Sequence, residues 1–131
     1  MRVPQPTSLR VDLPAEPASV AAARRFVRHA LEDWGLADVS DTVVLLTSEL
    51  ATNAILHART AFAVVVSRPS GGVRVDVLDG STVAPRNRQP SAMAATGRGV
   101  NMVAALADHW GQTPETQLHG FAKGVYFTVP A

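Results

Sequence analysis

Two short apolar runs in the middle of the chain constrain its fold most strongly. Residues 61–67 and 73–78 are rich in valine, and a Pro-Ser-Gly-Gly tetrapeptide at residues 69–72 stands between them. β-Branched residues bounded by turn formers are typical of strands, and two such runs around a short glycine-containing turn predict a β-hairpin. A domain built on this hairpin has to cover its apolar surface with further strands or helices.

The flanking segments supply those elements. Apolar and polar residues alternate over residues 8–13, which predicts a half-buried strand. Apolar residues at helical spacing predict a helix capped by Ser19 and ended by Gly35, and a second helix that runs from Ser40 or Asp41 to about Ala58. The remaining predicted elements follow a long loop: a helix over residues 99–107, and strands near residues 108–112 and 124–129.

The order of these elements predicts the fold class. A two-layer α/β sandwich is favoured by this order, which is a strand, two helices, a hairpin, a loop, a helix and two strands. We expect a mixed, mostly antiparallel sheet with about three helices on one face.

Size and composition limit the classes of function. The 131 residues fit one domain, residues 1–131, with residues 1–7 as a loose N-terminal arm. A net charge of +1 and an aromatic content of 5% argue against direct binding to nucleic acid or to an anionic membrane. The absence of cysteine excludes disulfides and thiolate metal sites. The N-terminus lacks the apolar core of a signal peptide, and the apolar stretches fall short of a membrane span, so we expect a cytoplasmic protein.

The second predicted helix holds the most informative polar residues. Glu49, Asn53 and His57 are spaced four apart and therefore share one face of the helix. Asparagine is locally unfavourable inside a helix, because its amide competes with backbone hydrogen bonds. The Asn53 carbonyl oxygen is a hard ligand of the kind that Mg²⁺ prefers, and Glu49 is suited to orient or deprotonate a hydroxyl group. The alternative is a solvated polar face, with His57 a residue of the helix end.

A carboxylate follows the second strand of the predicted hairpin. Asp79 ends an apolar strand and precedes Gly80. A carboxylate there is able to accept a hydrogen bond from an exocyclic amine such as that of adenine, and a glycine lets the backbone approach the base closely. The alternative is an ordinary Asp-Gly turn. The long irregular loop over residues 80–96 contains two prolines, and long loops inside compact domains are often functional.

A glycine pair opens the third predicted helix. Gly97, Arg98 and Gly99 precede Val100, and free backbone N–H groups at a helix start favour phosphate. The segment has neither the Gly-Lys-Ser/Thr ending of a P-loop nor the third glycine of a dinucleotide fingerprint, where Met102 stands. Gly-x-Gly before a helix is also common in loops without a ligand.

The three segments in this order resemble the ATP-binding boxes of the GHKL superfamily. Residues 49–58 are similar to the N box, Asp79-Gly80 to the first glycine box, and residues 97–99 to the second. Residues 123–130 look like the closing strand of the family. The resemblance covers nearly the whole chain, and it is strongest to the small stand-alone anti-sigma factor serine kinases of the actinobacterial type.

The resemblance implies roles for individual residues and a Bergerat-type fold. Glu49 would be the general base, Asn53 the Mg²⁺ ligand and Asp79 the adenine reader, with residues 80–96 as the ATP lid. The nucleotide contacts implied in this way are Asn53, His57, Asp79, Gly80, Gly97, Arg98, Gly99 and Val100. The implied partners are a sigma factor and a small antagonist protein that accepts phosphate, with a homodimer as the expected assembly.

The sequence also departs from the family pattern. Thr82 stands where the first glycine box usually has another glycine, and Gly124 stands where the last strand often has a polar threonine. These changes leave three functions open: a serine kinase, a nucleotide-dependent binding module without phosphotransfer, or an unrelated small α/β enzyme that uses a phosphate-bearing cofactor such as coenzyme A. The third gives no role to the pair Glu49 and Asn53.

Overall fold

The computed structural model describes residues 7–82 and 105–131, which form a five-stranded sheet and two α-helices. The helices are α1, Ala18–Asp33, and α2, Ser40–Asn53, which continues as one turn of π-helix over Ala54–Ala58. The strands are β1, Ser8–Leu13; β2, Phe62–Ser67; β3, Gly72–Asp79; β4, His109–Gln112; and β5, Lys123–Pro130. Short 3₁₀ turns lie at Ala37–Val39 and Glu115–Gln117.

The sheet has the order β1-β2-β3-β5-β4, and each neighbouring pair is antiparallel. The predicted two-layer α/β sandwich is confirmed, and so is the hairpin of β2 and β3. Among the described strands no pair is parallel, so the expected mixed character of the sheet is not found there. Two helices are described where about three were expected, because residues 99–104 of the predicted third helix lie outside the described part, as do residues 1–6 of the arm and 83–96 of the predicted lid.

The core lies between the two helices and one face of the sheet. On β3, Val73, Val75 and Val77 point into this core, while Arg74 and Asp76 point to the opposite face, as the period of two in a strand requires. The buried side chains of the helix layer include Val27 and Leu31 of α1, and Val43, Leu46 and Leu50 of α2. We call the face away from the helices the outer face of the sheet.

Helix α2 is strongly apolar. By length and composition alone, the helical stretch Ala37–Ala58 would suffice to cross a membrane, but half of its apolar window is buried inside the fold. Leu46 and Leu50 belong to the same buried cluster as the inward side chains of β3. Packing against the sheet therefore explains the apolar character of this helix.

The ends of α1 agree only in part with those predicted from the sequence. Gly35 has a φ of +73°, and the N–H of Leu36 donates to the carbonyl of Leu31 at 2.8 Å, so the predicted stop of α1 is confirmed. The predicted cap is wrong, since α1 begins at Ala18 and the Ser19 hydroxyl donates to the carbonyl of Pro14 at 2.7 Å. This contact ties the start of α1 to the turn that follows β1.

Substitution of two adjacent leucines of α2 tests the packing of this helix against the sheet. Leu46 has 0% of its surface exposed and Leu45 has 40% exposed. We expect Leu46→Ala to lower the free energy of unfolding by about 2–5 kcal/mol, because it removes buried methyl groups and leaves a cavity. Leu45→Ala should change it by less than about 1 kcal/mol, since surface substitutions usually have small effects. Denaturant unfolding monitored by circular dichroism measures both, and equal losses would contradict the described orientation of α2.

Candidate functional site

Several elements end along one edge of the sheet, which is formed by the termini of the strands. Strand β3 ends there at Asp79, which is paired in register with Phe62 at the start of β2 and with Lys123 at the start of β5. The π-turn that follows α2 ends at Ala58, four residues before β2 begins, and packs against β3. The polar face of α2 and the carboxylate of Asp79 therefore approach the same edge, as the proposed site requires.

Asp79 is a predicted site residue that the structure describes in detail. Since Val75 and Val77 point towards the helices, alternation along β3 places Asp79 on the same face. Its surface is 7% exposed, and burial of a carboxylate is costly unless it is paired and hydrogen-bonded. Its Oδ1 accepts a hydrogen bond from the N–H of Ser81 at 2.9 Å and lies 3.3 Å from the Nζ of Lys123.

These contacts leave one oxygen of the carboxylate for other donors. Both fall on Oδ1, and within the described residues Oδ2 of Asp79 accepts no hydrogen bond. The side chains of Asp79 and Lys123 are only 11% and 12% exposed, so their ion pair is largely shielded from solvent. A ligand that offers an amine N–H at this edge would meet a fixed carboxylate with a vacant acceptor.

Gly80 is held by the loop that follows α2. Its N–H donates to the hydroxyl oxygen of Thr60 at 2.8 Å, and this hydroxyl donates in turn to the carbonyl of Ala61 at 3.0 Å. A Cβ on residue 80 would lie 3.4 Å from the Thr60 oxygen, which is an ordinary contact distance, so this contact does not itself require a glycine. The contact joins the end of β3 to the segment after the π-turn and thereby limits their relative movement.

The predicted functional face of α2 lies at the border of the core. Glu49, Asn53 and His57 are each half-buried. At a rise of about 1.5 Å per residue, four residues separate Glu49 from Asn53 by about 6 Å along the helix axis. Asn53 is the last α-helical residue, and the change to π-helix directly after it was not predicted. The π-turn lies at the C-terminal end of the helix and is followed by Arg59 in the left-handed conformation, a position where such turns occur regularly.

His57 contains an unpaired polar atom. Its Nε2 is buried and has no hydrogen-bond partner among the described residues. A buried polar atom without a partner costs about 1–3 kcal/mol. This observation fits a site whose partner comes from a ligand, from water or from residues outside the described part.

The other predicted phosphate contacts lie outside the described residues. Gly97, Arg98, Gly99 and Val100 fall in this group, as does most of the predicted lid. Of the lid, Gly80, Ser81 and Thr82 are described, and Ser81 is buried while Thr82 is exposed. The structure therefore describes the residues of the predicted N box and first glycine box but not those of the second glycine box, and the roles of all three stay predictions.

Gly124 lies on the outer face of the sheet, because its neighbours Val125 and Phe127 pack towards the core. A Cβ on residue 124 would lie 2.7 Å from Thr113 Oγ1 and would collide with the side chain of Leu78. The Thr113 hydroxyl donates to Asp76 Oδ2 at 2.8 Å in the same place. The absence of a threonine at position 124 is thus explained by packing of the outer face.

Lys123 and Thr60 are contacts of the site that the sequence did not single out. Lys123 belonged to the predicted closing strand, but its pairing with Asp79 depends on the register of β5 against β3. Thr60 precedes β2 and meets Gly80 only because β2 and β3 form the hairpin. A single sequence predicts the strands but does not show which residues stand opposite each other.

Comparison with known proteins places the chain in a family. A family model of the histidine kinase-like ATPase domain matches residues 13–118, which include all three predicted nucleotide-binding segments. Because the match covers most of the chain, the protein belongs to the family of histidine kinase-like ATPase domains. No curated protein matches the sequence. The family supports ATP binding and a regulatory role, and it removes the unrelated coenzyme A-dependent enzyme as an alternative.

Proposed function

We propose that this protein binds Mg-ATP at the edge where α2 meets β3 and acts in the cytoplasm as a serine/threonine-protein kinase of the anti-sigma factor type. The main support is the carboxylate of Asp79, which is buried on the helix-facing side. Its Oδ1 is held by two contacts, and Oδ2 accepts no hydrogen bond from residues 7–82 or 105–131. This carboxylate lies at the edge that the Asn53 face of α2 also reaches, in a chain that belongs to an ATPase family.

The adenine base is the part of the nucleotide that Asp79 suits. The exocyclic amine of adenine donates a hydrogen bond, and Oδ2 of Asp79 is available to accept it. Guanine carries a carbonyl oxygen at the equivalent ring position, which a carboxylate repels. Lys123 and the N–H of Ser81 hold Oδ1, so they orient the carboxylate before the ligand arrives.

The phosphates and the metal ion fit the other end of the site. The donor set is an amide oxygen on Asn53 beside the carboxylate of Glu49, and hard oxygen ligands of this kind suit Mg²⁺. Bound Mg²⁺ would supply neutralisation of the phosphate charge. Gly97, Arg98, Gly99 and Val100 are proposed to contact the phosphates, and the 80–96 segment is proposed to cover the nucleotide.

Phosphotransfer needs a group that receives the proton of the attacking hydroxyl. Glu49 precedes Asn53 by one helical turn and is half-buried, so we assign it this role towards a serine of a small antagonist protein. The second proposed partner is a sigma factor, bound without a chemical step.

A nucleotide-dependent binding module without kinase activity is the second candidate. Thr82 in place of a glycine favours it, because a side chain is added at the start of the proposed lid. Gly124 does not support the binding module, since this residue faces away from the helix layer.

Binding is tested by calorimetry with ATP, ADP and GTP in the presence of Mg²⁺. We expect adenine nucleotides to bind, and Asp79→Asn to weaken them about 10- to 100-fold, because a hydrogen bond to a charged group contributes about 1.5–3 kcal/mol. Weak binding of guanine nucleotides should change much less. Asp38→Asn, an exposed acidic residue of the Ala37–Val39 turn, is the matched control and should leave affinity unchanged. Equal losses for adenine and guanine nucleotides would show that Asp79 does not select the base, and no binding up to millimolar nucleotide would end the proposal.

Catalysis is tested by transfer of labelled phosphate from ATP to candidate antagonist proteins. Glu49→Ala should lower the transfer rate about 10²- to 10⁴-fold, the usual contribution of general base catalysis, with ATP affinity nearly unchanged. Asn53→Ala should lower affinity and transfer together. Asp41→Ala, at the exposed start of the same helix, serves as the control. Transfer by Glu49→Ala at the parent rate would exclude the general base role, and ATP binding by a parent protein that transfers no phosphate would favour the binding module.

A further inference from the structure

A row of polar side chains crosses the outer face of the sheet, away from Asp79. Ser8 of β1 stands opposite Ser67 of β2, and Ser67 stands opposite Arg74 of β3. Directly opposite residues of antiparallel strands share a face, and Arg74 points to the outer face, so both serines lie there as well. A rise of about 3.3 Å per residue places Arg74 about 16 Å from Asp79 along β3. Since Asp79 lies on the helix-facing side, the row is separate from the proposed nucleotide site.

The chain that connects β4 to β5 returns across this outer face. We call residues 113–122 the β4–β5 segment. At its start, the hydroxyl of Thr113 donates to Asp76 Oδ2 at 2.8 Å. Near its end, the guanidinium of Arg10 lies 5.5 Å from the centre of the Phe121 ring. Because both ends of the segment contact side chains of the outer face, the segment covers part of that face.

A pocket of about 300 Å³ lies between the β4–β5 segment and the sheet. Gln117 and His119 of the segment line it, together with Ser8, Ser67 and Arg74 of the sheet. Pockets that bind ligands measure about 300–1,000 Å³, so this volume stands at the lower end of the range. It suits a molecule much smaller than a nucleotide.

Arg74 is held in place before any ligand binds. Its Nε and Nη2 donate to Oδ1 and Oδ2 of Asp76 at 2.8 and 3.0 Å, and its guanidinium lies 4.1 Å from the centre of the Tyr126 ring. A guanidinium has a second edge, with N–H groups on Nη1 and Nη2. Within residues 7–82 and 105–131, this second edge has no hydrogen-bond partner.

Other hydrogen-bond donors without a partner in the described part of the chain surround Arg74 in this pocket. They are the hydroxyls of Ser8 and Ser67, the amide of Gln117 and the imidazole of His119. The carboxylate of Asp76, which lines the same pocket, already accepts hydrogen bonds from Arg74 and Thr113. The pocket therefore offers donors, and a ligand that is rich in acceptors complements it.

We propose that this pocket binds a small organic acid with a single carboxylate and a neighbouring hydroxyl group. The carboxylate accepts two parallel hydrogen bonds from the free edge of Arg74, an arrangement that a planar guanidinium favours. The hydroxyl group bonds to Ser67 or Gln117, and Val65 provides an apolar wall for the carbon chain. The site does not depend on nucleotide binding, so it is tested apart from the proposed function.

The charge of the pocket favours one carboxylate over a phosphate group. Arg74 is paired with Asp76, so the two side chains together have no net charge before a ligand binds. A carboxylate adds one negative charge, whereas a phosphate group carries about −1.5 to −2 at neutral pH. The additional charge of a phosphate would lie near the carboxylate of Asp76 and would be repelled by it.

Lactate is the probe for this site, because it has one carboxylate and a neighbouring hydroxyl group. Backbone amide chemical shifts of ¹⁵N-labelled protein are measured while lactate replaces chloride at constant ionic strength. We expect changes at Ser8, Ser67, Gln117 and His119, with a millimolar Kd, as a ligand of this size allows. Lactamide has a neutral amide in place of the carboxylate and should bind about 10-fold more weakly, since it offers no charged acceptor.

Two variants test the assigned contacts. Arg74→Lys keeps a positive charge beside Asp76 but removes the planar edge, so it should weaken lactate about 10- to 100-fold. Ser67→Ala removes a hydroxyl that has no partner among the described residues, so it should keep the fold and weaken lactate about 2- to 10-fold. Arg25→Lys, at an exposed position of α1, is the matched control and should leave the affinity unchanged.

Thermal unfolding of each variant checks that the fold is retained, and Ser67→Ala decides alone if Arg74→Lys does not fold. Four results would each overturn the proposal. These are no shift changes with lactate well above millimolar concentration, equal binding of lactate and lactamide, parent affinity in the folded pocket variants, and tighter binding of inorganic phosphate than of lactate at the same amides.

Discussion

The packing of α2 against β3 is the contact on which the candidate site depends. Leu46 and Leu50 of the helix share a buried cluster with Val75 and Val77 of the strand. Because the side chains of a helix and a strand have fixed periods, burial of these residues also determines where the polar residues lie. It leaves Glu49 and Asn53 half-buried at the border of the core, and it places Asp79 on the helix-facing side of β3.

The site is built around a carboxylate that the fold holds in advance. Asp79 is taken from water, and Lys123 together with the N–H of Ser81 offsets that cost. Both contacts use Oδ1, and Oδ2 accepts no hydrogen bond within the described part of the chain. The hydroxyl of Thr60 holds the backbone of Gly80 beside it. A base bound at this edge would therefore meet groups whose positions are already fixed, which reduces the entropy that binding has to offset.

Much of this arrangement could be predicted from the sequence, and the remainder has physical reasons. The strands, the two long helices and the stop at Gly35 follow from apolar periodicity and turn residues, which are local features. Other features depend on the register between strands that are distant in the sequence. These are the pairing of Lys123 with Asp79, the contact of Thr60 with Gly80 and the crowding around Gly124. The π-turn after Asn53 and the hydroxyl contact of Ser19 with Pro14 depend on packing, which overrides local preference. The resemblance to ATP-binding boxes came from three short segments, and the family match across residues 13–118 agrees with it.

Backbone amide chemical shifts, measured while Mg-ADP is added to ¹⁵N-labelled protein, test most directly whether this edge is the nucleotide site. We expect the largest changes at Asn53, His57, Thr60 and Gly80, with little change on the outer face at Arg74 and Tyr126. These two residues stack at 4.1 Å on the side of the sheet away from α2 and serve as an internal reference. Changes centred on the outer face, or none at millimolar nucleotide, would contradict the account.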